Sequence, residues 1–112
     1  MVRKIAVPTS DGLLDEHFGH CRMFAIFDTN GREVLGDHLV DPPPHQPGLL
    51  PAWLAGKGVT DIIAGGMGQR AIQIFNQNCI NVFVGAPKLT PAELVKGFLE
   101  ESLTFNANYC DH

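Results

Sequence analysis

Asp61-Ile62-Ile63-Ala64-Gly65-Gly66-Met67-Gly68 is the stretch whose reading decides the fold. A short apolar run fits a buried strand, and three glycines in four positions end it in a tight loop. Ala71, Ile72 and Phe75 then recur at helical spacing, in a pattern that closes near Asn78. Asn81-Val82-Phe83-Val84 resumes a strand, and Gly85-Ala86-Pro87 stops it. Thr90-Pro91-Ala92-Glu93 is a capping box with proline at the first helical position, opening a helix with the apolar face Leu94, Val95, Phe98 and Leu99. Strand, helix, strand and helix in succession imply parallel crossovers, the hallmark of an α/β layer fold.

Working outward, the first half of the chain reads differently. Lys4-Ile5-Ala6-Val7-Pro8 is a short buried strand that Pro8 should end, followed by a turn at Thr9-Ser10-Asp11-Gly12. Met23 to Asp28 reads as a second strand, and Asn30-Gly31 as a hairpin turn. The chain should return from Arg32 toward Val40, with Gly36 as a bulge. Prolines exclude regular structure from Asp41 to Gly48. Leu50, Trp53 and Leu54 then share a helical face, and Gly56-Lys57-Gly58 stops that helix. The expectation is one α/β domain over residues 1–112: a mixed five-stranded sheet with an antiparallel hairpin and about three helices, ending in a mobile tail from about residue 104. Ligands of such sheets favour the edge where parallel strands end. The 65–68 loop falls there, and the 9–22 loop joins it if the first strand is parallel.

Composition removes several function classes. The chain is 45% hydrophobic and 18% charged, with a net charge of −4, as an ordinary globular domain would be. Its eight Lys and Arg are scattered, so no basic stripe points to nucleic acid. No apolar run suits a membrane span and no signal-peptide core is present, which points to the cytoplasm. Cys21, Cys79 and Cys110 are odd in number and widely spaced, a poor disulfide framework. Cys79, between a helix end and a strand, is expected in the core.

The donors of chemistry gather in Asp15-Glu16-His17-Phe18-Gly19-His20-Cys21, with a second group at Cys110-Asp111-His112. Imidazole and thiolate suit soft and borderline metals. The candidate ligands are His17, His20, Cys21, Cys110 and His112, with His45 of the proline segment expected to be exposed but able to swing over the same edge. Their spacing is poor for one closed tetrahedral site. A Cys21 nucleophile paired with His17 or His20 is a rival reading, but no third residue to orient the base is evident. Gly65, Gly66, Met67 and Gly68 open a helix whose first turn carries Arg70, an arrangement suited to an anion. Gly66-x-Gly68-x-x-Ala71 also matches a degenerate dinucleotide fingerprint, yet it follows a late strand and no acidic residue closes the next one.

Taken together, Ile5-Ala6-Val7-Pro8, the Asp15–Cys21 segment, Phe24, Ala64-Gly65-Gly66-Met67-Gly68 and Cys110-Asp111-His112 resemble the dinitrogenase iron-molybdenum cofactor biosynthesis family over nearly the whole chain. That family spans cofactor-carrier domains of nitrogenase assembly, small stand-alone proteins and the molybdenum–copper orange protein of sulfate reducers. The resemblance implies a ribonuclease-H-like three-layer fold and a carrier or scaffold rather than an enzyme. The implied cargo is a molybdenum-containing metal–sulfur cluster, Mo-Fe or Mo-Cu, or its precursor, held weakly or without covalent ligands. His17, Phe18 and Gly19 would line it together with Gly65, Gly66, Met67, Gly68 and Arg70. The proline segment and the Cys/His tail would act as a lid. Implied partners are cofactor-assembly proteins or associated ATPases, with neither nucleic acid nor membrane. The alternative is a simple transition-metal module of zinc type built from His and Cys side chains.

Overall fold

The computed structural model describes residues 2–16, 21–44 and 48–110. Its centre is β1 (Val2–Ser10), where Ile5, Ala6 and Val7 have no exposed surface because both faces of the strand are covered. On one side β3 (Met23–Asn30) pairs antiparallel along almost all of β1, and β4 (Glu33–Val40) pairs antiparallel with β3. On the other side β5 (Asp61–Ile63) runs parallel to β1, and β6 (Asn81–Val84) parallel to β5. An edge strand, β7 (Asn106–Asn108), lies antiparallel to β6, and β2 (Leu13–Leu14) folds back on the end of β1.

Strand periodicity divides the core in two. Ala6, Phe24, Ile26, Ile62 and Val82 face α1 (Leu49–Gly56) and α2 (Gln69–Gln77), meeting Leu50, Leu54, Ile72 and Phe75. Ile5, Val7, Ala25, Phe27, Ile63 and Phe83 face α3 (Pro91–Leu99), meeting Leu94, Val95 and Leu99. The result is three layers, helices on both faces of a mixed sheet. The expected capping box is formed, with Thr90 Oγ1 accepting from the Glu93 amide at 3.2 Å and Glu93 Oε1 accepting from the Thr90 amide at 3.2 Å.

Several expectations need correction. The sheet has seven strands rather than five, because β2 and β7 are too short to show a hydrophobic period. β7 lies in the stretch read as a tail from residue 104; backbone pairing with β6 draws it into the sheet. Pro8 does not end β1, which continues to Ser10. The β5 pairing stops at Ala6 and the β2 pairing begins at Thr9, so Pro8 sits in the gap between them, where its missing N–H breaks no ladder. The hairpin turn is Gly31-Arg32, flanked by the pair Asn30 and Glu33. Only Gly31 takes a positive φ, 60°, the pattern of a turn with glycine first rather than of an Asn-Gly turn. The bulge stands where Gly36 suggested it, since Asp28 faces Gly36 while Thr29 faces Val34, leaving Leu35 unmatched. Cys79 is exposed, not buried; it follows the last turn of α2 at φ 63°. Among the described residues no helix is long and apolar enough to cross a membrane.

Candidate functional site

Because β1, β5 and β6 run parallel, their C-terminal ends share one edge of the sheet. Three loops meet there. The Ala64 amide donates to Phe83 O at 2.9 Å, and the Gly85 and Ala86 amides donate to Gly65 O and Ala64 O at 3.0 and 3.1 Å. Leu14 donates its amide to Leu89 O at 2.9 Å, bringing in the segment after β1. A methyl group at Gly65 would lie 3.5 Å from Leu14 Cδ2 and 3.8 Å from Glu16 Cα. The glycine-rich loop and the root of the Asp15–Cys21 segment are therefore neighbours. Gly85 carries the left-handed conformation, φ 91°, that turns the third loop.

Gly66 and Gly68 behave otherwise. Neither has a positive φ, and no described atom lies within 4 Å of where a Cβ would stand. Backbone conformation does not require glycine at either position, and contact with the described residues does not either. What the missing side chains leave is open space in front of α2. Gly68 is the N-cap of that helix, no side chain caps it, and its first turn holds no acidic residue. Among the described residues, neither a side-chain cap nor a first-turn acid offsets the positive end of this helix. Arg70, exposed in the same turn, makes no ion pair among the described residues.

Beside this opening the Asp15–Cys21 segment is drawn together at its base. Ser10 Oγ donates to Asp15 Oδ2 at 2.7 Å and accepts from the Arg22 amide at 3.1 Å, while the Asp15 amide donates to Pro8 O at 3.0 Å. The Arg22 guanidinium lies 3.7 Å from Asp11, an exposed pair of small energetic weight. Cys21 and Met67 both pack against the core that faces α1 and α2, so a thiol and a thioether sit on the same apolar floor. Burial, and then the Asp15 carboxylate, push the Cys21 thiol up to about 11, so it is protonated at neutral pH and a poor nucleophile.

The expected ligands divide by position. Gly65, Gly66, Met67, Gly68 and Arg70 stand together at the C-terminal edge, with Cys21 packed on the same core as Met67. His17, Phe18, Gly19, His20, His45 and His112 lie outside the described residues. Cys110 is not brought to this edge. Antiparallel pairing of β7 carries it to the far end of β6, where its amide donates to Asn81 Oδ1 at 2.9 Å. Among the described residues no three His, Cys, Asp or Glu side chains gather as a metal site. The described part of the 9–22 loop, with Ser10, stands at the edge as expected, since β1 is parallel to β5; Gly85 has no such signal, because a glycine after a strand reads locally as a stop.

The model of the family described as dinitrogenase iron-molybdenum cofactor matches residues 1–101. The chain belongs to that family. An uncharacterised protein of Methanocaldococcus jannaschii is 32% identical over 105 residues, covering 89% of this chain and 88% of that protein. Among solved structures, PH0822 superposes with a TM-score of 0.82 at 28% identity, covering 95% of each chain. The apo form of the orange protein from Desulfovibrio gigas superposes with a TM-score of 0.76 at 26% identity, covering 96% of this chain and 98% of that one. Family membership suggests involvement in iron-molybdenum cofactor biosynthesis or cluster binding.

Proposed function

We propose that the protein binds an anionic metal–sulfur cluster of Mo-Fe or Mo-Cu type, or its precursor, at the C-terminal edge of the sheet, and carries or scaffolds it. One observation carries the reading: among the described residues, Gly66 and Gly68 leave open space before a helix start that no side chain caps and that has Arg70 and no acid in its first turn. Sulfide-rich clusters are anionic and bulky, so close backbone approach and unclaimed amide donors suit them better than a few fixed ligands do. The sulfur atoms of Met67 and of a protonated Cys21 add polarisable contact without a strong thiolate bond. Weak ligation is what a carrier needs in order to release its cargo, and nothing in this reading calls for catalysis by the protein.

His17, in the His17-Phe18-Gly19 stretch through which the chain resembles the family, is the side chain we assign to the cluster from sequence. The reading also keeps the ribonuclease-H-like label, which the strand order β4-β3-β1-β5-β6 supports. It keeps a cytoplasmic setting with cofactor-assembly proteins or ATPases as partners. The alternative, a zinc-type module of His17, His20, Cys110 and His112, is weakened by the position of Cys110 at the other end of the sheet. Anaerobic purification from the native host, with an absorption spectrum and elemental analysis, separates the two. Molybdenum with inorganic sulfide supports the carrier, and its retention should fall in His17→Ala. Zinc alone supports the module, and undiminished cluster retention in His17→Ala would count against the assignment of that residue.

A further inference from the structure

The far edge of the sheet holds two thiols that the cluster site does not use. Cys79 follows α2 and precedes β6; Cys110 follows β7. They are 31 positions apart in sequence, yet one side chain ties their neighbourhoods together. Asn76 Nδ2 donates to Ile80 O at 2.9 Å and to Asn108 O at 3.1 Å, so the residue after Cys79 and the residue two before Cys110 converge on one amide group. The Cys110 amide is fixed on Asn81 Oδ1 at 2.9 Å. Counting outward from the pair Val82 and Asn108, antiparallel register sets Cys110 across from Ile80, the immediate neighbour of Cys79.

Cys79 is also an unexpected residue for its position. It adopts φ 63° just past a helix end, where glycine or asparagine is the usual occupant. A cysteine there brings a cost in backbone conformation and exposes its thiol. Cys21, by contrast, is half-buried at the other end of the sheet and packs against the core that faces α1 and α2.

We propose that Cys79 and Cys110 form a reversible disulfide that fastens β7 to the turn between α2 and β6. The oxidant is a low-molecular-weight disulfide, R–S–S–R. The exposed Cys79, as thiolate, attacks one of its sulfurs; the S–S bond breaks, one R–S⁻ leaves and takes a proton, and a Cys79 mixed disulfide forms. The Cys110 thiolate then attacks the Cys79 sulfur, and the second R–S⁻ leaves and takes a proton. The two cysteine sulfurs lose two electrons, and the small disulfide gains them. This device stands independently of the cluster proposal, at the opposite end of the same strands.

The test uses the full chain incubated with oxidised glutathione and mapped by non-reducing peptide mass spectrometry. The expected product is a monomer that has lost two hydrogens, with Cys79 and Cys110 in one cross-linked peptide pair and Cys21 free. Amide exchange in β7 should slow by about tenfold or more and recover on reduction. Cys110→Ser, which keeps the backbone amide, should stop at a persistent glutathione adduct on Cys79. Separate adducts on Cys79 and Cys110 in the unsubstituted protein, or a bridge to Cys21, would overturn the proposal. So would both thiols remaining reduced after the oxidant has had time to modify an unstructured cysteine peptide.

Discussion

The two ends of the sheet use the same strands for opposite ends. At the N-terminal end of β5 the carboxylate of Asp61, fully buried, accepts from Arg3 Nη1 at 2.9 Å, Thr60 Oγ1 at 2.7 Å and Asn81 Nδ2 at 3.0 Å. Arg3 also lies 5.6 Å from the centre of the Phe98 ring, and Asn81 passes the network on to Cys110. Donors and acceptors there satisfy one another, as buried polar groups require. At the C-terminal end, among the described residues, Gly66 and Gly68 face open space and no side chain caps the start of α2. One end is closed by its own side chains, and the other is left incomplete by them. The second is where we propose that the ligand binds.

Breaking the closed end should give the largest effect. Asp61→Ala leaves Arg3 and Asn81 without their shared acceptor and should lower stability by about 3 kcal/mol, read as a fall in the urea midpoint. A change within 0.5 kcal/mol, or about the scatter of a surface substitution, would mean that the network is not what closes that end. At the open end the order of effects should reverse. A Cβ at Gly66 would meet no described atom within 4 Å and the position has no positive φ, so Gly66→Leu should keep stability within about 0.5 kcal/mol. Its side chain would fill the opening, and affinity for a thiomolybdate anion should fall about tenfold or more, or 1.4 kcal/mol. Arg70→Glu is a gentler perturbation of the same end. Affinity should drop several-fold at low salt and less at high salt, with the melting curve unmoved.

The smallest expected effect sharpens the comparison through pH. The Cys21 thiol is raised in the folded chain by burial and by Asp15, from an ordinary 9.0 to about 11. As pH rises the unfolded chain loses this proton first. The contribution is therefore full below about pH 9 and is lost as pH climbs toward 11. Cys21→Ala should remove about 1 kcal/mol of that alkaline decline, the thiol being only half-buried. Denaturant midpoints at pH 7.5 and 10 would show it, and an equal decline in both proteins would refute it.

Much of this was legible from residue order. Asp61–Gly68, Asn81–Val84 and the Thr90 capping box carry their periods and stops within a few residues, so local rules place them. The glycine-rich loop announced its edge for the same reason. The position of Cys110 was not legible, because Asn106-Ala107-Asn108 has no hydrophobic alternation and becomes a strand only through pairing with β6. Pro8 misled because a proline ends a strand only where its amide is needed, and that depends on which neighbours reach it. Cys79 misled in the same way, since a small apolar side chain says nothing of a left-handed turn after α2. The Asp61 network joins residues up to 58 positions apart and has no local signature.

The most direct test of the account is a titration of thiomolybdate, followed by its absorption, into the unsubstituted protein, Gly66→Leu and Cys110→Ser. The account predicts saturable binding by the unsubstituted protein and by Cys110→Ser alike, and binding weakened about tenfold or more in Gly66→Leu. Binding that is indifferent to Gly66→Leu but lost in Cys110→Ser would contradict it, and would place the site at the other end of the sheet.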